Sequence, residues 1–129
     1  MIGQLCAVAA GGAVGSVARF LVAGSAARLF GTGFPAGTLL VNLGGSFLIG
    51  LLFPLLVLRP GGQGLWHLAL MAGVLGGFTT FSAFSLETLV LLQQGRAGAA
   101  LLNVAANVLP GLGAAWAGYS LARLWVGSQ

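Results

Sequence analysis

The chain has 129 residues, 58% of them hydrophobic, and its only charged side chains are five arginines and one glutamate, for a formal net charge of +4. A soluble globular domain has about a quarter of its residues charged, so this composition excludes one. The basic balance does not point to nucleic acid either, because the arginines stand singly and form no patch.

Apolar segments can be drawn at about 5–30, 38–58, 65–92 and 97–125, each meeting the roughly 20 residues a helix needs to cross a bilayer. The expectation is an all-α membrane protein, a single four-helix membrane domain over residues 1–129. The first segment has no basic n-region and is too long for a signal peptide, so it is read as a retained span. Cys6 is the only cysteine, which leaves no intrachain disulfide, and it reads as a small apolar residue.

Span 1 carries Gly11-Gly12 and Gly15, a small-xxx-small spacing that lets helix backbones approach closely in lipid. Arg19 lies well inside the same apolar stretch and must face protein or water. Two roles are open to it: drawing anions toward a vestibule, or capping carbonyls of a neighbouring helix. Span 2 contains Asn42, followed by Gly44-Gly45-Ser46. A buried amide without partners is costly, so Asn42 bonds either to another helix or to something passing by. Pro54 is positioned to kink the end of this span, and Arg59-Pro60-Gly61-Gly62-Gln63-Gly64 is the loop that follows.

Span 3 is the most informative. His67 begins it and reads as a solvated edge residue. Its middle is Gly76-Gly77-Phe78-Thr79-Thr80-Phe81-Ser82-Ala83-Phe84-Ser85, glycines and hydroxyl residues between two apolar blocks. This predicts a helix interrupted at midspan. In hydrocarbon the backbone groups freed by unwinding must be satisfied within the protein or a water-filled cavity. Interrupted helices at membrane depth mark ion or substrate sites. Phe81 and Phe84, three apart, are expected to point the same way from the restarted helix, their ring edges offering a weakly attractive lining to a small hard anion. Glu87, the only acidic residue, lies near the end of the span, where it can snorkel, pair with an arginine or serve a proton pathway. Span 4 places Asn103 and Asn107 on one helix face. They are either helix glue or a polar ladder along a pore, and beside the interrupted span the ladder is the favoured reading. Pro110-Gly111 is expected to bend this helix.

With four spans, the N-terminus, the Arg59 loop and Arg123 fall on one side and the Arg28 and Arg96 loops on the other. Loop arginines therefore balance, and the positive-inside rule assigns no orientation. Either the chain inserts both ways and pairs as an antiparallel dimer, or Arg19 or the terminal amine settles one orientation.

Three strings together, Gly11–Phe20, Gly37–Phe47 and Gly76–Glu87, resemble the small fluoride channels of the Fluc/CrcB type in order and spacing. The resemblance covers nearly the whole chain. It implies an antiparallel, dual-topology homodimer in the lipid bilayer of a bacterial inner membrane, with two fluoride paths. It also implies a structural central sodium ion held by the backbone carbonyls of Gly76 and Thr79. By motif position Asn42 matches the pore asparagine, Phe81 and Phe84 the phenylalanines of the fluoride path, and Ser82 a serine beside them. Asn103, Asn107 and Gly111 fall where related channels often carry Tyr, Ser or Thr, and Ala83 replaces a common threonine, so the hydroxyl track is altered. The implied activity is passive, fluoride-selective export from the cytoplasm. The alternative is a proton-coupled small multidrug-type transporter. That needs an embedded carboxylate near midplane, usually early in the chain, and span 1 has none. A non-transporting scaffold has no use for the interrupted span. An intramembrane enzyme lacks a paired set of catalytic side chains.

Overall fold

A computed structural model of the protein describes residues 1–58 and 64–126. The Arg59–Gln63 loop segment and its arginine lie outside the described residues. Helix α1 runs Ile2–Phe30 and α2 Ala36–Leu56. The third span is assembled from α3 (Leu65–His67), a π-helix (Leu68–Leu75), α4 (Gly76–Phe78) and, after an interruption, α5 (Phe81–Gln93). Helix α6 runs Ala97–Val126. Four helical stretches, Ile2–Phe30, Ala36–Leu56, Leu65–Gln93 and Ala97–Val126, are long and apolar enough to cross a membrane. Pro54 lies inside α2 and Pro110 inside α6, and both helices continue past them.

Helix α1 packs mainly on the π-helix and α4, and α2 mainly on α6. Both seams are made by missing side chains. A Cβ on Gly11 would collide with the Ala69 carbonyl oxygen, and one on Gly15 with that of Val74. The glycine spacing expected to bring helices together thus lays α1 directly on the backbone of the third span. Helix α2 meets α6 in the same way, Gly50 against the Ala115 carbonyl and Gly118 against that of Phe47. Without a hydrophobic drive between helices in lipid, such close contact is what holds a bundle together. The outward faces stay apolar: Val14, Phe20, Leu101, Leu109 and Trp116 are all exposed.

Candidate functional site

The interruption is narrower than the sequence implies. Gly76, Gly77 and Phe78 are helical, and only Thr79 and Thr80 leave the helix, with φ/ψ of −75°/156° and −152°/113°. Gly77 is spent on packing rather than unwinding: a Cβ there would sit 2.6 Å from the Gly12 carbonyl oxygen. Ser85 lies within α5, its hydroxyl donating to the Phe81 carbonyl at 2.8 Å. Thr80 is the N-cap of α5, its hydroxyl accepting from the Ala83 N–H at 3.2 Å.

Two extended residues still leave backbone groups without helical partners, and the side chain of Asn42 replaces them. Its Oδ1 accepts the Thr80 N–H at 2.8 Å, and its Nδ2 donates to the Thr80 carbonyl at 3.2 Å. The amide thus treats Thr80 as a paired residue on a neighbouring strand would. The second Nδ2 proton goes to Asn107 Oδ1 at 2.9 Å. Asn107 in turn donates to Asn103, at 3.0 Å to Oδ1 and 2.9 Å to the carbonyl. Asn103 donates to Thr88 Oγ1 at 2.9 Å, and the Thr88 hydroxyl donates to the Phe84 carbonyl at 2.7 Å. Arg19 reaches the other residue of the interruption, its Nη1 lying 3.4 Å from the Thr79 carbonyl oxygen. Of its two open roles, the structure shows the carbonyl cap.

A groove of about 350 Å³ opens in front of these residues, bordered by Asn42, Gly76, Thr79, Phe81, Phe84 and Asn107. Six residues singled out from sequence therefore converge. Ser82 is exposed beside the groove, its hydroxyl 3.3 Å from that of Thr80. Asn103 is fully enclosed, 0% exposed, behind Asn107 and does not border the groove. Phe81 and Phe84 touch, with ring centroids 5.4 Å apart and planes 53° apart. They do not share an environment: Phe81 is 79% exposed and Phe84 8%.

Glu87 stands apart from this group. It borders a second cavity of about 340 Å³, formed by the 31–35 connection, the start of α2, the end of α5 and Arg96. Of the three fates open to it, pairing with an arginine is not realised among the described residues. The Thr38 hydroxyl donates to Oε1 at 2.7 Å, and Oε2 is enclosed with no hydrogen-bond partner among the described residues. Arg96 spends its Nη1 on the Gly33 carbonyl at 2.6 Å. His67 is an edge residue, its Nδ1 lying 2.8 Å from the Gly64 carbonyl oxygen.

Two participants, Thr88 and Thr38, carry little signal in the sequence. Thr88 sits in an apolar run with nothing to distinguish it from a solvated threonine. Thr38 meets Glu87 only across 49 positions. Thr80 does have a local signal, a threonine preceding a helical restart, which is an N-cap pattern.

Fold and site together define a multi-pass integral membrane protein whose third span is interrupted and braced by polar side chains. A family model described as CrcB-like protein, Camphor Resistance (CrcB), matches residues 6–119. A protein of Caulobacter sp. strain K31 is 50% identical over 121 residues, covering 93% of this chain and 94% of the relative. One from Agrobacterium fabrum is 46% identical over 120 residues, covering 93% of this chain and 96% of the relative. One from Shewanella amazonensis is 51% identical over 102 residues, covering 79% and 82%. All three carry the name fluoride-specific ion channel FluC. The chain belongs to the CrcB family.

Proposed function

We propose that the protein is a fluoride-selective channel that passively exports fluoride from the cytoplasm across a bacterial inner membrane. The observation that carries this reading is the groove at the interrupted span, where Asn42, Phe81, Phe84 and Asn107 meet at one opening. The names of its relatives agree with it. The path runs past Asn42, Phe81, Ser82, Phe84 and Asn107, with Asn103 behind them. A small hard anion sheds part of its water against amide N–H groups, the Ser82 hydroxyl and phenylalanine ring edges. Both Nδ2 protons of Asn42 already have acceptors, the Thr80 carbonyl and Asn107 Oδ1. An entering anion therefore takes a proton from an existing hydrogen bond rather than filling an empty site. Binding is correspondingly weak, which rapid conduction requires.

The working unit of this reading is an antiparallel homodimer of chains inserted in both orientations, consistent with the balanced loop arginines. A structural sodium ion suits the interruption. Thr80 gives its N–H to Asn42 and not to Gly76, four positions back, so the Gly76 carbonyl is freed beside the groove. The backbone carbonyls of Gly76 and Thr79, repeated in the partner, would offer an all-oxygen set fitting a hard alkali cation. When bound, the ion supplies fixed positive charge at the dimer centre. Arg19 already brings a guanidinium to the Thr79 carbonyl and holds that peptide in place.

Liposomes loaded with fluoride or chloride, and containing the purified protein, test the reading with ion-selective electrodes. Rapid fluoride release with little chloride movement is expected. No fluoride release from folded protein overturns it, and proton exchange driven by a cationic drug in the same vesicles would mean the multidrug-type transporter instead.

A further inference from the structure

We propose that Asn103 is a positioning residue. Through Asn107 and Asn42 it sets the Thr80 peptide at the interruption, and it does not itself meet the conducted ion. The argument is one of counting donors and acceptors. The Thr80 N–H can only donate, so Asn42 must present Oδ1 to it. Asn42 then has only N–H groups left for its other neighbours, the Thr80 carbonyl and Asn107. Asn107 must therefore turn its oxygen to Asn42 and its nitrogen to Asn103. Asn103 must turn its oxygen to Asn107 and its nitrogen to Thr88. Thr88, having accepted, donates its single proton to the Phe84 carbonyl. Reversing any one amide sets donor against donor or acceptor against acceptor. The backbone at Thr80 and the backbone at Phe84, both beside the groove, are thus the two ends of one directional chain of hydrogen bonds.

Asn103 is the member best suited to fix this direction. It is fully enclosed, and both its carbonyl and its Oδ1 accept from Asn107. Side-chain amides in a low-dielectric interior polarise one another, so their contributions are coupled rather than additive. The position supplies an amide where a hydroxyl would be symmetric in its options, since a hydroxyl both donates and accepts at one atom.

The test uses hydrogen–deuterium exchange on the peptide spanning residues 78–84 in the full-length protein, a readout that needs no transport. Asn103→Leu removes the Oδ1 acceptor at similar volume. Thr88→Val removes the acceptor of the Asn103 amide and leaves all three amides in place. Exchange at Thr80 should rise roughly three- to tenfold in Asn103→Leu, about the loss of one neutral hydrogen bond, and less in Thr88→Val. Amides of the α1–π-helix seam should not change. Should Asn103→Leu fail to fold, Thr88→Val carries the test. Unchanged exchange at Thr80 in the folded variants overturns the proposal. A second arm rests on the fluoride reading: efflux losses in Asn103→Leu and Asn42→Leu should be strongly non-additive when combined, and additive losses also overturn it. Wild-type protein that moves no fluoride defeats the channel reading, while the exchange experiment still decides the relay.

Discussion

The seam between α1 and the third span and the interruption a turn or two further on solve the same problem in opposite ways. Both must settle backbone polar groups at membrane depth. Along the seam the third span keeps its own helical hydrogen bonds, and Gly11 and Gly15 merely clear space so that two backbones touch. At the interruption the Thr79 N–H still donates to the Leu75 carbonyl, but the bonds from Thr80 onward are given up, and Asn42, Arg19 and the Thr80 hydroxyl supply replacements. The first solution is intolerant of added volume but indifferent to chemistry. The second depends on each donor and acceptor. Only the second leaves groups that can change partners, which is why the groove lies there and not along the seam.

The contrast can be broken from the seam side. Gly15→Leu drives a side chain into the Val74 carbonyl and should cost about 3 kcal/mol or prevent folding, the upper range for overpacking. Denaturation in detergent micelles measures it, and a wild-type midpoint would show that the helices are free to separate there. From the polar side, Asn42→Asp keeps an acceptor for the Thr80 N–H but removes both donors. A loss of about 2 kcal/mol is expected for the acceptors left facing one another. Fluoride efflux should fall at least tenfold, and normal efflux from this variant would remove Asn42 from the path.

Phe81→Ile sharpens the comparison by separating function from stability. Phe81 is exposed on the single chain, so the stability of the fold should move by less than about 0.5 kcal/mol. Efflux should nonetheless drop by about an order of magnitude if the ring edge lines the path. Equal efflux with equal stability would leave the ring as a lipid or partner contact only. The smallest effect is expected at Arg96→Ala, which deletes an exposed bond to the Gly33 carbonyl far from both regions. As for most exposed substitutions, about 0.5 kcal/mol or less should be lost. A larger loss would mean that the 31–35 connection is a third structural centre.

The helices were legible because hydrophobic length is an explicit property of the chain, and four stretches long enough to span leave few alternatives. The glycine seam was legible in kind, since small residues four apart mean close approach, but the partner was not, because any helix could have supplied the facing carbonyls. The interruption was placed correctly and drawn too wide. Glycine and serine are poor helix formers in isolation, yet here Gly77 is held by contact with Gly12, and Ser85 lies in α5 with its hydroxyl bonded to the Phe81 carbonyl. Phe81 and Phe84 were expected to share a face. They do meet, but the restart at Phe81 leaves the first ring outside the core and the second inside it.

By itself, then, the sequence determined that this is a four-span membrane protein with a polar interruption in its third helix, because composition and span length act locally and cannot be offset by distant residues. Tertiary structure alone decided what that polarity does. Whether Asn42 faces an ion or a peptide, whether Asn103 borders the groove or stands behind it, and whether Glu87 meets an arginine or Thr38 all depend on contacts across 15 to 65 positions. The spacing of residues along one helix carries no record of which atoms on another helix will lie opposite.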